Sequence, residues 1–245
     1  PIIRKRAQEG PIYAPTLALR ELHPEYADRI PSVAEQFTPD NHHDMVRFEI
    51  MKQFGYFVTE SSEHSSEYYP WFIKKDHPEL IDRFHIPLDE YPRRCRDQIA
   101  RWKQQAEHLV HNENLTHTRS SEYAAGIIEA LETGRTFGFA GNVLNTGLID
   151  NLPFDACVEV SCMVNEGHLS PCHMGPLPNQ LAALNRRQIE VHQLTVDAAL
   201  TRKKEYIYQA AMLDPHAGSE LTIDEIRSLV DDLIQAHGDW LPEYH

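Results

Sequence analysis

The stretch Ala156-Cys157-Val158-Glu159-Val160-Ser161-Cys162-Met163-Val164 decides the fold class. Val158, Val160, Cys162 and Val164 fall on one side of a two-residue period, while Glu159 and Ser161 fall on the other. That alternation is the signature of a half-buried strand, because successive side chains of extended backbone point to opposite faces. Upstream, Phe137–Val143 is a second strand candidate. Between the two lies Asn142-Val143-Leu144-Asn145-Thr146-Gly147-Leu148-Ile149-Asp150-Asn151-Leu152-Pro153, rich in amides and turn formers, as a connection between strands requires.

The pattern outside this centre is helical. On the C-terminal side, Leu177–Leu200 and Lys203–Leu213 carry helical spacing, and Pro215 ends the second. The last helix has the strongest local signals. Thr222 and Glu225 form a capping box, Ile223, Ile226, Leu229, Val230, Leu233 and Ile234 make an apolar stripe, and Gly238 closes it. On the N-terminal side, helices are expected over Pro92–His111 and over Ser121–Glu132, the latter stopped by Gly134. Another is expected to start at Asp40 or Asn41 as cap, to present Met45, Phe48, Met51 and Phe54 on one face, and to stop at Gly55. Tyr56-Phe57-Val58-Thr59 is expected as a short strand, followed by an aperiodic polar loop over Glu60–Phe72. The first 40 residues are interrupted by Pro11, Pro15, Pro24, Pro31 and Pro39 and are expected to be irregular, with a short helix around Thr16–Leu22. The expected architecture is therefore α+β: a mixed or antiparallel sheet flanked by helices. An irregular segment 1–40 precedes a domain over 41–245.

Composition narrows the function classes. The 245 residues carry 23 Lys and Arg against 37 Asp and Glu, for a net charge of −14. A phosphate backbone is a poor partner for such a chain, so nucleic acid is not expected. No apolar run approaches the ~20 residues that span a bilayer, so no membrane insertion is expected. Four cysteines, Cys95, Cys157, Cys162 and Cys172, do not build a disulfide framework in a chain of this length, which points to the cytoplasm. The chain starts at Pro1 without an initiator Met, as a processed, trimmed or internal piece would. No G-x-G-x-x-G fingerprint, P-loop, G-x-S-x-G elbow or H-E-x-x-H motif occurs. Gly138 and Gly141 lack the third glycine and the following helix of a dinucleotide site.

Candidate chemistry concentrates in Glu60-Ser-Ser-Glu-His-Ser-Ser-Glu-Tyr-Tyr-Pro-Trp-Phe72. Carboxylates and a histidine can hold sugar hydroxyls while Trp71 or Phe72 covers a sugar face. The plainer alternative is a solvated loop pinned by buried aromatics. A tyrosine serves as a base only where a cation lowers its ionisation from near 10. Asn41-His42-His43-Asp44 and Cys172-His173 offer ligand-type side chains, yet neither has the spacing of a metal site, and capping or surface roles account for them.

Several runs together resemble glycoside hydrolase family 4, in its α-galactosidase (melibiase) branch. They are Gly55-Tyr-Phe-Val-Thr-Glu-Ser-Ser-Glu-His64, Glu67-Tyr68 with Pro70-Trp71-Phe72, Pro87-Leu-Asp-Glu-Tyr-Pro92, Gly147-Leu-Ile-Asp-Asn-Leu-Pro153, Cys157-Val-Glu-Val160, Val230-Asp-Asp-Leu-Ile and Ala236-His-Gly-Asp-Trp-Leu-Pro242. The resemblance runs from about residue 40 to the end. It implies the C-terminal domain of a lactate/malate-dehydrogenase-like glycosidase. It also implies hydrolysis of α-galactosides by oxidation at C3 with NAD, deprotonation at C2, elimination, water addition and re-reduction, with a divalent metal, usually manganese, polarising the C2 and C3 oxygens. By position, Tyr68 is the implied C2 base and Asp44 the acid assisting the leaving group, with Arg47, His64 and Asn145 as substrate contacts. The NAD-binding half and the metal ligands of the family lie upstream of the part resembled, so none of this chain's residues is assigned to either. A homo-oligomer is implied, with the NAD-binding half missing or supplied by a separate chain. The alternative is a non-catalytic sugar-binding or assembly module of the same fold.

Overall fold

The computed structural model describes residues 44–245 apart from 113, 115, 117–119 and 121. The expected irregular segment 1–40, the Thr16–Leu22 helix and the Asp40 or Asn41 cap lie outside them. The chain divides into two compact units, one formed by residues up to Pro87 together with Glu190–His245, the other by Leu88–Ile189.

The Leu88–Ile189 unit holds the sheet. β1 (Phe137–Leu144), β2 (Cys157–Asn165) and β3 (His168–Pro171) pair antiparallel in that order. β1 and β2 run in register from Phe137 opposite Val164 to Leu144 opposite Cys157. As the alternation predicts, Val158, Val160, Cys162 and Val164 are buried, and the intervening residues of β2 are exposed. The buried face meets Ile149, Leu152, Ala156 and Ala182 in one core. That core begins α6 (Asn179–Thr201), whose residues from Glu190 on belong to the other unit. α5 (Ala124–Thr133) packs onto the same strands, and the Glu166 N–H donates to its Ala130 carbonyl at 3.2 Å. Gly126 is forced by this approach, since a Cβ there would sit 2.7 Å from the Phe137 ring. α5 ends where expected, at Gly134 with φ +72°. Before it, α4 (Glu90–His111) buries none of its residues. β3 was not expected: His168–Pro171 has no alternation to announce it and pairs only through β2.

The other unit is helical. α1 (Met45–Phe54) stops at Gly55, whose φ of +81° lets its N–H donate to Met51 at 2.8 Å. Its buried side chains are Val46, Ile50 and Met51, so the expected face is shifted. Of the four residues expected on it only Met51 is buried, because the helix packs along the Val46–Ile50 line against Phe72, Phe84 and Ile86. Two further expectations fail here. Tyr56–Thr59 is not a strand, and Glu60–Phe72 is not wholly a loop: α2 spans Ser62–Tyr68. Ser61 caps α2 by accepting from the His64 N–H at 3.2 Å, and Ser65 and Ser66 face inward fully buried. Small polar side chains on the packed face hide the periodicity that larger apolar ones would show. α3 (Glu79–Arg83) follows. After α6 come α7 (Lys204–Leu213), α8 (Ala217–Glu220) and α9 (Ile223–His237), with a 3-10 turn over Gly238–Trp240. α9 has the expected capping box, and it lies against α7. There the Tyr208 hydroxyl and the Lys204 ammonium both donate to Asp231, and the Arg227 guanidinium sits 4.3 Å above the Tyr208 ring.

Candidate functional site

Four of the five predicted site residues, Asp44 at the cap of α1, Arg47 on it, and His64 and Tyr68 on α2, fall on this helix pair. Arg47 organises this pair of helices. Its Nε and Nη2 donate to the Val58 carbonyl at 3.0 and 2.9 Å, and its Nη1 meets Asp44 Oδ1 at 3.0 Å. Its guanidinium carbon lies 4.2 Å from the centre of the Phe57 ring, and its backbone N–H donates to Ser62 Oγ at 3.3 Å. The Val58 carbonyl is thus satisfied by a side chain, and Tyr56–Thr59 pairs with no strand among the described residues.

α2 brings the chemistry to one face. His64 and Tyr68, four apart, stack on the same side of α2, and Glu60 reaches His64 from just ahead of the Ser61 cap. The Glu60 carboxylate accepts from the Ser61 N–H at 2.8 Å and meets His64 Nδ1 at 3.0 Å. These contacts, the Ser61 N–H foremost, hold the Glu60 carboxyl below its ordinary ionisation range. The His64 and Tyr68 rings lie 6.2 Å apart, tilted by 41°. Tyr68 is 45% exposed.

Tyr69 differs in every respect. It ends α2, stacks on Trp71 at 5.2 Å and belongs to the Val46–Phe72 core. Burial pushes its phenol above the ordinary value, which opposes a role as a base. Phe72 is buried and so cannot cover a sugar; Trp71 is exposed, with Phe54 and Tyr69 both stacked on it.

Asn145 lies in the sheet unit and is fully buried. Its Oδ1 accepts from the Ile149 N–H at 2.7 Å, while Nδ2 donates to the carbonyls of Ile149, Leu152 and Pro153 at 3.0, 3.2 and 2.9 Å. The amide is spent on shaping the Asn145–Pro153 turn. Asn151 closes the next junction, donating to the Leu177 carbonyl at 2.8 Å and accepting from its N–H at 2.9 Å. His173 Nε2 meets Asp150 Oδ1 at 2.8 Å on the surface of that loop. The sequence missed the Glu60–His64 pair, though the step of four behind a serine cap was there to be seen.

Among the described residues no three His, Cys, Asp or Glu side chains converge to hold a metal ion. Gly138 and Gly141 lie inside β1, not in a turn opening a helix, so they cannot cradle a pyrophosphate. The described residues thus form neither a metal cluster nor a glycine-rich dinucleotide cradle.

Comparison with known proteins places this geometry. The model described as the family 4 glycosyl hydrolase C-terminal domain matches residues 16–217. An α-galactosidase of Bacillus subtilis (strain 168) is 57% identical over 224 residues, covering 91% of this chain and 51% of that protein. The crystal structure of the lplD protein of Bacillus subtilis superposes with a TM-score of 0.70 at 22% identity, covering 88% of this chain and 49% of that one. A 6-phospho-α-glucosidase from gut microorganisms, solved with NAD and Mn2+, shares the fold with a TM-score of 0.55 at 21% identity, over 81% of this chain and 44% of that one. The chain spans about half the length of the relatives it matches.

Proposed function

The chain belongs to family 4 of the glycosyl hydrolases, as its C-terminal domain, and from that premise we propose that it is the substrate-side half of an α-galactosidase-like glycosidase. The reaction class is hydrolysis of an α-galactoside through oxidation at C3, deprotonation at C2, elimination, water addition and re-reduction. The groups that hold NAD and Mn2+ are assigned to the part of the relatives that this chain does not span.

Tyr68 is the C2 base in this reading, and one observation carries it: of the two adjacent tyrosines, Tyr68 is exposed beside His64 while Tyr69 is packed under Trp71. His64 faces the substrate from one turn earlier, and Asp44 assists the leaving group. Arg47 serves the substrate from behind, by fixing Val58, and Asn145 acts within its own unit, by fixing the Asn145–Pro153 turn. Self-association belongs to the same reading, since α4 leaves Ile99, Trp102 and Leu109 exposed along one side. So does a reducing cytoplasm, in keeping with four unbridged cysteines. No helix among the described residues is long and apolar enough to cross a membrane.

The test supplies the upstream half, fused or in trans, with NAD, manganese and reductant. Turnover of p-nitrophenyl α-galactoside is expected, with exchange of the sugar C2 hydrogen into 2H2O. Tyr68→Phe is expected to abolish that exchange and Tyr69→Phe to retain it. Galactose binding without turnover would instead support a sugar-binding module.

A further inference from the structure

We propose that Glu60 and His64 are positioning residues for Tyr68, with Glu60 orienting the His64 ring so that His64 Nε2 accepts the proton of the Tyr68 phenol. The inference rests on the reading of Tyr68 as a base, and its geometry lies in α2 and the two residues ahead of it.

Three observations support it. First, His64 and Tyr68 lie one turn apart on one face of α2, and Glu60 lies just ahead of its Ser61 cap, within reach of the His64 ring. Second, the Glu60 carboxylate is an acceptor only, so its 3.0 Å contact fixes the proton of neutral His64 on Nδ1 and leaves Nε2 with the lone pair. Third, the Glu60 carboxylate is itself anchored by the Ser61 N–H at 2.8 Å, and the same residue's hydroxyl caps the helix that carries His64 and Tyr68. The carboxylate therefore does not follow the imidazole but dictates its orientation. The ring so fixed lies 6.2 Å, centre to centre, from the Tyr68 ring. An acid, an imidazole and a hydroxyl in series is the arrangement by which a weakly acidic O–H is activated elsewhere.

The proton balance closes. The phenol O–H breaks and an N–H forms at His64 Nε2, giving a phenolate and an imidazolium whose charge rests against Glu60. The phenolate takes the proton from the sugar C2 and becomes a phenol again. In the addition half of the cycle the phenol returns a proton to C2, and the phenolate recovers its own from His64. No outside oxidant or proton source is needed.

Nitrogen NMR of the chain labelled with 15N-histidine reads the pair without any activity. His64 is assigned by His64→Gln. Its neutral ring is expected as the Nδ1–H tautomer, with Nε2 shifted by a hydrogen bond that Tyr68→Phe removes and Tyr69→Phe leaves in place. Glu60→Ala is expected to move the proton to Nε2. An Nε2–H tautomer in the unsubstituted chain, or an Nε2 signal indifferent to Tyr68→Phe, overturns the proposal. In the protein completed with its upstream half, Glu60→Ala and His64→Gln are each expected to slow C2 exchange by about tenfold or more, with KM changed by less than about twofold. Unchanged exchange in both variants, where Tyr68→Phe abolishes it, refutes the pair and spares the base. Exchange surviving Tyr68→Phe refutes the base, and the NMR result then judges the pair by itself.

Discussion

Arg47 and Val58 stand eleven residues apart, and the guanidinium of the first closes on the carbonyl of the second through two of its nitrogens, at 3.0 and 2.9 Å. This fork joins α1 to the segment that leads into α2. A side chain, and not a strand pairing, ties this segment down.

Arg47→Ala removes the fork, the Asp44 pair and the cover over Phe57 together. Because a charged donor to a part-buried carbonyl is lost, destabilisation of about 2 kcal/mol is expected in urea unfolding. Arg47→Lys should recover less than half of it, since an ammonium cannot reproduce a planar fork. Equal stability of the Lys variant and the unsubstituted chain would show that geometry is not what matters.

Asn145→Ala leaves the Ile149 N–H and three carbonyls without the amide that satisfies them in a fully buried site. A cost of about 3 kcal/mol is expected, the desolvation penalty of buried groups left unpaired. Asn145→Asp should fare no better, because it removes both donors. Hydrogen exchange at the Ile149 amide is the local readout, and continued protection in the Ala variant would contradict this account.

Glu220 gives a pH prediction. The Lys74 ammonium, then the Lys75 N–H, lowers its ionisation to about 2 from an ordinary 4.5. A carboxyl depressed in the folded state stabilises it above the unfolded value, and that contribution is lost as pH falls through the folded one. The stability gap between the native chain and Glu220→Gln should therefore be constant above about pH 5 and close between about 4.5 and 2. Solvent and salt screening will keep the gap small at this partly exposed surface site. A gap that widened on acidification would reverse the sign argued here.

Thr222→Ala removes the cap of α9, where Thr222 Oγ1 accepts from the Glu225 N–H at 3.3 Å and Glu225 returns to the Thr222 N–H at 2.8 Å. About 1 kcal/mol is the expected loss. Thr222→Ser should retain most of the stability, and thermal melts of the three proteins decide the point.

By itself the sequence determined the elements whose signals are local. The alternation of Val158, Val160, Cys162 and Val164 named β2 and its buried face, and Thr222 with Glu225 named the start of α9. It also carried the family, through runs such as Gly147–Pro153 that lie within the stretch the family model matches. Tertiary structure decided the rest. Tyr56–Thr59 has strand-forming residues, yet it pairs with no strand among the described residues and its Val58 carbonyl is held by Arg47 instead. Ser65 and Ser66 hid a packed helix face behind polar letters. Asn145 reads as a turn residue and proves to be a fully buried staple. Tyr68 and Tyr69 are adjacent and chemically identical in the sequence. Only the stacking of Trp71 on one of them separates an exposed phenol from a half-buried one packed against a core, because burial depends on neighbours that the local pattern cannot encode.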